Sequence, residues 1–381
     1  MNQIHLDHNA TTPIDPQVAD AMHRCYLEGH ANPASQHQLG RRARRVVEDA
    51  RESLSEMLGA ETSGMQADQL LFTSGGTEAN NLALLGLAGE PPGRVIISSI
   101  EHPSVIGAAE VLQKRGFDVQ RLPVAGNGET VVEALPELID SQTRLVSVMA
   151  ANNETGVLQP IERIAEICEE HRVLFHTDAV QVAGKSPLHF RQHNIAAMSL
   201  AAHKFHGPRG VGALLIRWGV SLQPLLVGGF QQGGLRPGTE SPALAVGMET
   251  ALRLWKKEAD SREQRMRTLR DLLESRLLNG WPDLFINGLN APRLPHTSNV
   301  SFPGLDRQAL VIALDLAGVA CSAGSACASG SSEPSPTLLA MGLSPEIVAG
   351  ALRFSLGAGT SEEEIQNASE RILQAVRDLN P

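Results

Sequence analysis

Lys204 lies among small residues and histidines in AAHKFHGPRG, directly after the strand-like run Ala197–Ala201. That setting favours a placed amine, although an isolated lysine is usually a solvated surface group. Asp178, 26 residues earlier, closes the apolar run Val173–Asp178. Ligand-facing groups of α/β sheets collect at such strand ends, but an acid there also serves simply to cap a turn. Farther upstream, Ser74, Gly75, Gly76 and Thr77 follow the run Leu70–Thr73 and precede a helical pattern starting near Glu78. Exposed amides and hydroxyls at a helix N-terminus seat a phosphate; the same residues make an ordinary turn and N-cap, and the GK[ST] of a Walker loop is missing. Taken together, the three elements meet the needs of pyridoxal phosphate: an amine to hold the aldehyde, a carboxylate to keep the pyridine nitrogen protonated, and donors for the phosphate.

The cysteines divide by context. Cys327 lies in the Gly/Ala/Ser-rich stretch SAGSACASGSS, which lacks apolar periodicity and reads as a mobile, exposed loop carrying a candidate nucleophile. Cys168 continues the face of Ile161, Ile164 and Ala165, and Cys25 follows Val18 and Met22 at helical spacing, so both read as small core residues. Cys321 ends the apolar run Leu316–Ala320; core is the favoured reading, with a second thiol near Cys327 as the alternative.

Positioning these groups requires alternating strands and helices. Strands are expected at Leu70–Thr73, Arg94–Ser99, Leu145–Ala150, Val173–Asp178, Ala197–Ala201 and Val211–Arg217. Between Gln36 and Leu58, the residues Leu39, Ala43, Val46, Val47, Ala50, Leu54 and Met57 recur on one helical face. Such alternation predicts crossover connections and a mostly parallel sheet. A long helical pattern from about Ala243 to Leu278 then leads to separated strands, Ser298–Phe302 and Ala351–Leu356, flanked by helices at Arg307–Ala317 and Glu362–Leu379. The change of rhythm predicts a second, smaller α+β domain.

Composition agrees. The 381 residues are 42% hydrophobic but include only nine Phe, three Trp and one Tyr, so the core must be aliphatic. A net charge of −10 argues against a general nucleic-acid-binding surface. Four sparse cysteines, no CxxC pair, no membrane-length apolar run and no leader pattern predict a soluble cytoplasmic protein without a disulfide framework or zinc site. The RRARR cluster at Arg41–Arg45 reads as a solvated helix face.

The ordered motifs LDHNATTP, NPASQH, FTSGGTEANNLAL, EHPSV, ANNETG, HTDAVQ, AAHKFHGPRGVGAL, RPGTE, SAGSACASG and ALRFSLGAGTSEEEI span almost the whole chain. In these the sequence resembles the class V aminotransferase superfamily, and within it the NifS/IscS-like cysteine desulfurases. The resemblance implies the fold type I of pyridoxal phosphate-dependent transferases, with a large domain (residues 15–250) around a mostly parallel seven-stranded sheet. The smaller α+β domain would comprise residues 1–14 and 251–381 and carry the cysteine loop at about 321–334. It also implies a homodimer that removes sulfur from L-cysteine, leaving L-alanine and a persulfide that passes to an acceptor protein, either an iron–sulfur scaffold or a thiolation enzyme.

Residue by residue, Lys204 matches the lysine that carries the cofactor and Cys327 the sulfur-accepting nucleophile. His102 matches the histidine that stacks on the ring and moves protons, Asp178 the partner of the ring nitrogen, and Gln181 the group bonding the ring hydroxyl. Gly76, Thr77 and His203 match phosphate ligands, and Thr239 the phosphate contact that reaches across the dimer. Asn153 matches a residue lining cofactor and substrate, and Arg353, assisted by Asn32, the partner of the substrate carboxylate, for which a guanidinium fork is suited.

Three positions depart from the family. Ala201 stands where a serine is common, so the phosphate has one hydroxyl donor fewer or relies on another group. Cys321 replaces a usual serine, which opens sulfur migration or a disulfide between it and Cys327. The chain stops at Pro381, where housekeeping members continue into a tail that docks the scaffold, which puts delivery to a scaffold of that type in doubt. Other readings of the same residues are a transaminase, which has no use for a loop thiol, a selenocysteine lyase, which needs the same groups, and a non-catalytic sulfur-relay partner, which needs none of them.

Overall fold

A computed structural model describes residues 3–29, 31–324 and 333–379. Its twelve strands are β1 (Ile4–His5), β2 (Gln69–Thr73), β3 (Arg94–Ser98), β4 (Asp118–Leu122), β5 (Thr143–Ser147), β6 (Leu174–Asp178), β7 (Ala197–Ala201), β8 (Gly212–Ile216), β9 (Phe285–Ile286), β10 (Thr297–Ser301), β11 (Val319–Ala320) and β12 (Ala351–Ser355). Seven of them form one sheet in the order β2-β8-β7-β6-β5-β3-β4, in which β8 alone runs antiparallel to its neighbours. This is the expected α/β architecture with a mostly parallel seven-stranded sheet. Every residue of β7 and of β8 is buried, which is why these strands read as near-continuous apolar runs, broken only by Ser199, rather than as alternating ones.

Expected strands fall within a few residues of their observed limits, but β4 went unrecognised. It is one of the sheet's two edge strands, and Asp118, Gln120 and Arg121 give it a polar pattern that resembles loop. The single long helix expected over Ala243–Leu278 is instead two: Pro242–Lys257 and Ala259–Gly280, separated at Glu258, whose φ of −126° and ψ of 19° leave helical geometry. Ala251, Leu252 and Trp255 still pack in the core of the large sheet, so that core continues past residue 250. The second helix packs on the chain's last helix, Glu362–Leu379. A separate apolar cluster joins Leu269, Leu273, Val300, Phe354 and Ile372 to Ile4 and Leu6, while β1 pairs with β11. The N-terminal segment is thereby anchored beside the antiparallel sheet β12-β10-β9. No helix among the described residues is long and apolar enough to cross a membrane.

The helix Gly76–Leu87 lies across the sheet and is buried on several sides, through Ala79, Asn80, Leu82, Leu84, Gly86 and Leu87. A Cβ on Gly86 would lie 2.6 Å from Gln223 O and 2.8 Å from Leu222 Cδ1. Alanine is a better helix former than glycine by about 1 kcal/mol. Gly86→Ala is nonetheless expected to destabilise, by about 1–3 kcal/mol of overpacking, which urea unfolding of the variant would measure.

Candidate active site

The carboxyl ends of β2, β3, β5, β6 and β7 share one edge of the sheet, and the chain order reverses between β3 and β5. Open α/β sheets bind ligands at such a switch point. A cleft of about 180 Å³ opens there, lined among others by Gly76, Thr77, His102, Asn153, Asp178, Gln181, His203 and Lys204. Eight of the residues singled out from sequence therefore converge although they come from five different strand ends.

Gly75 precedes the helix Gly76–Leu87 and supplies no side-chain cap, so the first amides keep their donors directed out of the helix. A Cβ on Gly76 would come within 2.9 Å of Val180 Cγ2, so glycine allows the backbone to line the cleft wall. Asp178 Oδ1 accepts the Val180 amide at 3.0 Å, and its Oδ2 accepts Asn80 Nδ2 at 2.6 Å. Asn80 Nδ2 also reaches Ser104 Oγ at 2.9 Å, which meets His102 Nδ1 at 2.7 Å. His102 caps the helix Pro103–Lys114 by accepting the Ser104 amide on Nδ1 at 3.1 Å. A nitrogen that accepts from an amide carries no proton, so Nε2 is the protonated nitrogen of the neutral ring.

Lys204 follows β7 on the short turn Ala202–Lys204, and its Nζ donates to Asn9 O at 2.5 Å and Ala10 O at 3.0 Å. His203 meets Thr11 Oγ1 at 3.2 Å; burial first, then the charge of Lys204, pushes its pKa down to about 4. Arg353, 1% exposed on β12, donates to Asp7 Oδ1 at 2.6 Å and Asn153 O at 3.0 Å, while its Nε finds no partner among the described residues. It stands behind Asn153 rather than in the cleft wall.

Two expected site residues lie away from this cleft. Asn32 uses its carboxamide to accept the Ala34 amide at 2.9 Å in its own turn. Thr239 is exposed, on a segment held by the ion pairs Arg236–Glu78 and Glu240–Arg51, each at 2.7 Å. Cys327 falls outside the described residues. Cys25 and Cys168 are buried core residues, and burial pushes the Cys168 thiol up to about 12. Cys321 packs against the smaller core, and burial together with Asp7 pushes its thiol up to about 12, so it is held protonated.

Sequence reasoning passed over Asn9, Asn80, Glu101 and Lys185. Asn80 was readable as a polar residue on an otherwise apolar helix face. Asn9 holds Lys204 and Gln181 through its backbone carbonyl, which carries no side-chain signature.

The Aminotransferase class-V family model matches residues 4–368. The chain belongs to that family. It is 38% identical over 385 residues to the cysteine desulfurase IscS of Dictyoglomus turgidum, covering 100% of this chain and 96% of the relative. A solved NifS-like protein superposes with a TM-score of 0.91 at 35% identity, covering 99% of this chain and 100% of that one. A structure described as SspA in complex with cysteine matches with a TM-score of 0.81 at 33% identity over 94% of this chain and 100% of that one. The pyridoxal phosphate-dependent transferase fold expected from the sequence is therefore the fold of this class-V member.

Beside His102, Glu101 is fully enclosed: Oε1 accepts Ser98 Oγ at 2.5 Å and Met149 N at 2.8 Å, whereas Oε2 has no partner among the described residues. Burial pushes its pKa up to about 8. The folded state therefore binds this proton more tightly than the unfolded chain, and the stabilisation is full below the ordinary carboxyl range and lost as pH rises toward the folded value. Glu101→Gln cannot ionise, so its melting temperature relative to the parent is expected to be higher at about pH 9 than at about pH 5. Parallel thermal melts at the two pH values test this, and an unchanged difference would remove Glu101 as a titrating group.

Proposed function

We propose that this class-V protein is a cytoplasmic, homodimeric cysteine desulfurase that uses pyridoxal phosphate to convert L-cysteine to L-alanine, leaving sulfur on Cys327 for an acceptor protein of iron–sulfur assembly or thiolation. The observation that carries it is the convergence of Lys204, Asp178 and His102 on one cleft beside an uncapped helix N-terminus.

The residues fit the cofactor. Gly76 and Thr77 amides with His203 would receive the phosphate, Asp178 the ring nitrogen, Gln181 the ring hydroxyl and Lys204 the aldehyde carbon. When bound, pyridoxal phosphate supplies an electron sink for a substrate carbanion. Asp178, held by Asn80 and the Val180 amide, keeps its carboxylate aimed at one place. Lys204 is held by the Asn9 and Ala10 carbonyls, and its amine would leave them to carry a proton at the substrate α-carbon. His102, its Nδ1 engaged, offers Nε2 for proton exchange at the substrate. Asn153, backed by Arg353 at its carbonyl, would orient the carboxylate of cysteine. The Cys327 thiolate attacks the substrate sulfur, the carbon–sulfur bond breaks, and the alanine carbon takes up a proton; thiol plus cysteine becomes persulfide plus alanine. Two lines of support favour a second copy of the chain: Thr239 lies outside its own cleft, and Leu226, Val227 and Phe230 stand exposed in the chain leading to it, with Val227 fully exposed. Contiguous exposed apolar residues of this kind mark association surfaces.

Purified protein reconstituted with the cofactor should be yellow and release alanine from L-cysteine. Lys204→Ala should lose turnover, and Cys327→Ser should keep the colour but lose persulfide, as followed by alkylation and mass spectrometry. Colourless parent protein, or full turnover without Lys204, would overturn the reading. Ala201 lines the cleft without a hydroxyl. Restoring one with Ala201→Ser is expected to tighten cofactor binding roughly three- to tenfold, the worth of one hydrogen bond, measured by equilibrium titration.

A further inference from the structure

Lys185 is a buried lysine, 5% exposed, that the proposed chemistry does not use. It sits on the turn that follows β6, where Lys185 N bonds Val182 O at 3.0 Å and Ser186 N bonds the same carbonyl at 3.1 Å. Gly184 in that turn has φ +69°, and a Cβ there would lie 2.3 Å from Phe205 Cβ. The turn is thus pressed against the residue following Lys204, which brings Lys185 beside the cleft from beneath. Lys185 and Lys204 line one small cavity of about 20 Å³, together with His206 and His296.

The Lys185 amine donates to Gln181 Oε1 at 2.9 Å, and Gln181 Nε2 donates to Asn9 O at 3.2 Å. A carboxamide has one oxygen and one NH2 group, so these neighbours agree on a single orientation. An amine facing the oxygen and a carbonyl facing the nitrogen both oppose a flip. One Nε2 hydrogen goes to Asn9, and the second remains for the cleft, whose wall includes Gln181. Burial first, and then Lys204 and Arg353, hold the Lys185 amine well below the usual lysine range; charged or neutral, it retains N–H groups to donate.

We propose that Lys185 is a positioning residue that satisfies and orients Gln181, so that Gln181 presents a fixed N–H donor to the ring hydroxyl of the bound cofactor. This inference rests on the pyridoxal phosphate reading above. It separates two roles for the paired lysines: Lys204 meets the reacting atoms, whereas Lys185 acts only through Gln181.

The test uses the full-length protein reconstituted with pyridoxal phosphate and reads the visible absorption band, whose position and intensity relative to the near-ultraviolet band respond to hydrogen bonding at the ring hydroxyl. Lys185→Met should shift this spectrum in the same direction as Gln181→Leu, and the double variant should shift no further than Gln181→Leu alone. Cofactor dissociation constants should rise roughly three- to tenfold in Lys185→Met. A folded Lys185→Met with the parent spectrum and affinity, or additive shifts in the double variant, would overturn the proposal, because a merely structural lysine would lower the melting temperature of the cofactor-free protein without moving the band. Should Lys185→Met fold poorly, Lys185→Gln keeps a donor for Gln181 and is expected to retain the parent spectrum; a shifted band in that folded variant would also overturn it. Parent protein that shows no visible band would instead defeat the cofactor reading itself.

Discussion

The half-buried amine of Lys204 needs acceptors, and two of them come from the N-terminal segment of the chain. Asn9 O accepts Lys204 Nζ at 2.5 Å and Gln181 Nε2 at 3.2 Å. The same residue's side chain reaches Thr297 Oγ1 at 2.9 Å and meets His296 Nε2 at 2.8 Å, while its amide donates to Ser355 Oγ at 2.9 Å. Asn9 is 1% exposed, so each of these groups would otherwise be a costly unpaired polar atom. One residue therefore fixes the lysine, the glutamine and the adjoining antiparallel sheet relative to each other.

The consequence is a cleft whose parts depend on both apolar cores. Asp178 and His102 are set by the large sheet through Asn80 and Ser104. Arg353 belongs to β12 of the smaller sheet but reaches Asn153 O, and Asn153 lines the cleft. Beneath the site, His176 joins Ser147 at 2.8 Å and Ser199 at 2.9 Å, bridging three adjacent parallel strands. Burial holds that imidazole down to about 3, so it stays neutral and serves as a hydrogen-bonding strut. Polar groups at this depth are satisfied in only one register, which favours a single alignment of the strand ends that carry the chemistry.

The cysteines show how environment separates residues of the same type. The Cys168 and Cys321 thiols are both pushed up to about 12, which suits packing and opposes nucleophilic attack. Cys321 packs against the smaller core beside Asp7, and its thiol remains protonated across the ordinary range of pH.

Much of this protein was determined locally. Apolar runs ending in Thr73, Asp178 and Ala201, the glycines after Thr73 and the helical periodicity of Glu362–Leu379 are properties of short stretches of chain, so strand ends, helices and most cleft residues could be read in sequence order. The polar edge strand β4 and the break at Glu258 were not legible, because both depend on what packs alongside rather than on residue period. Only tertiary structure decided that Asn9 would hold Lys204 and that Asn80 would join Asp178 to Ser104. It also decided that Arg353 would pair with Asp7 behind Asn153, and that Asn32 and Thr239 would stand apart from their own cleft. Those are contacts between residues distant in sequence, or through backbone carbonyls that every residue type shares, and no local pattern encodes them.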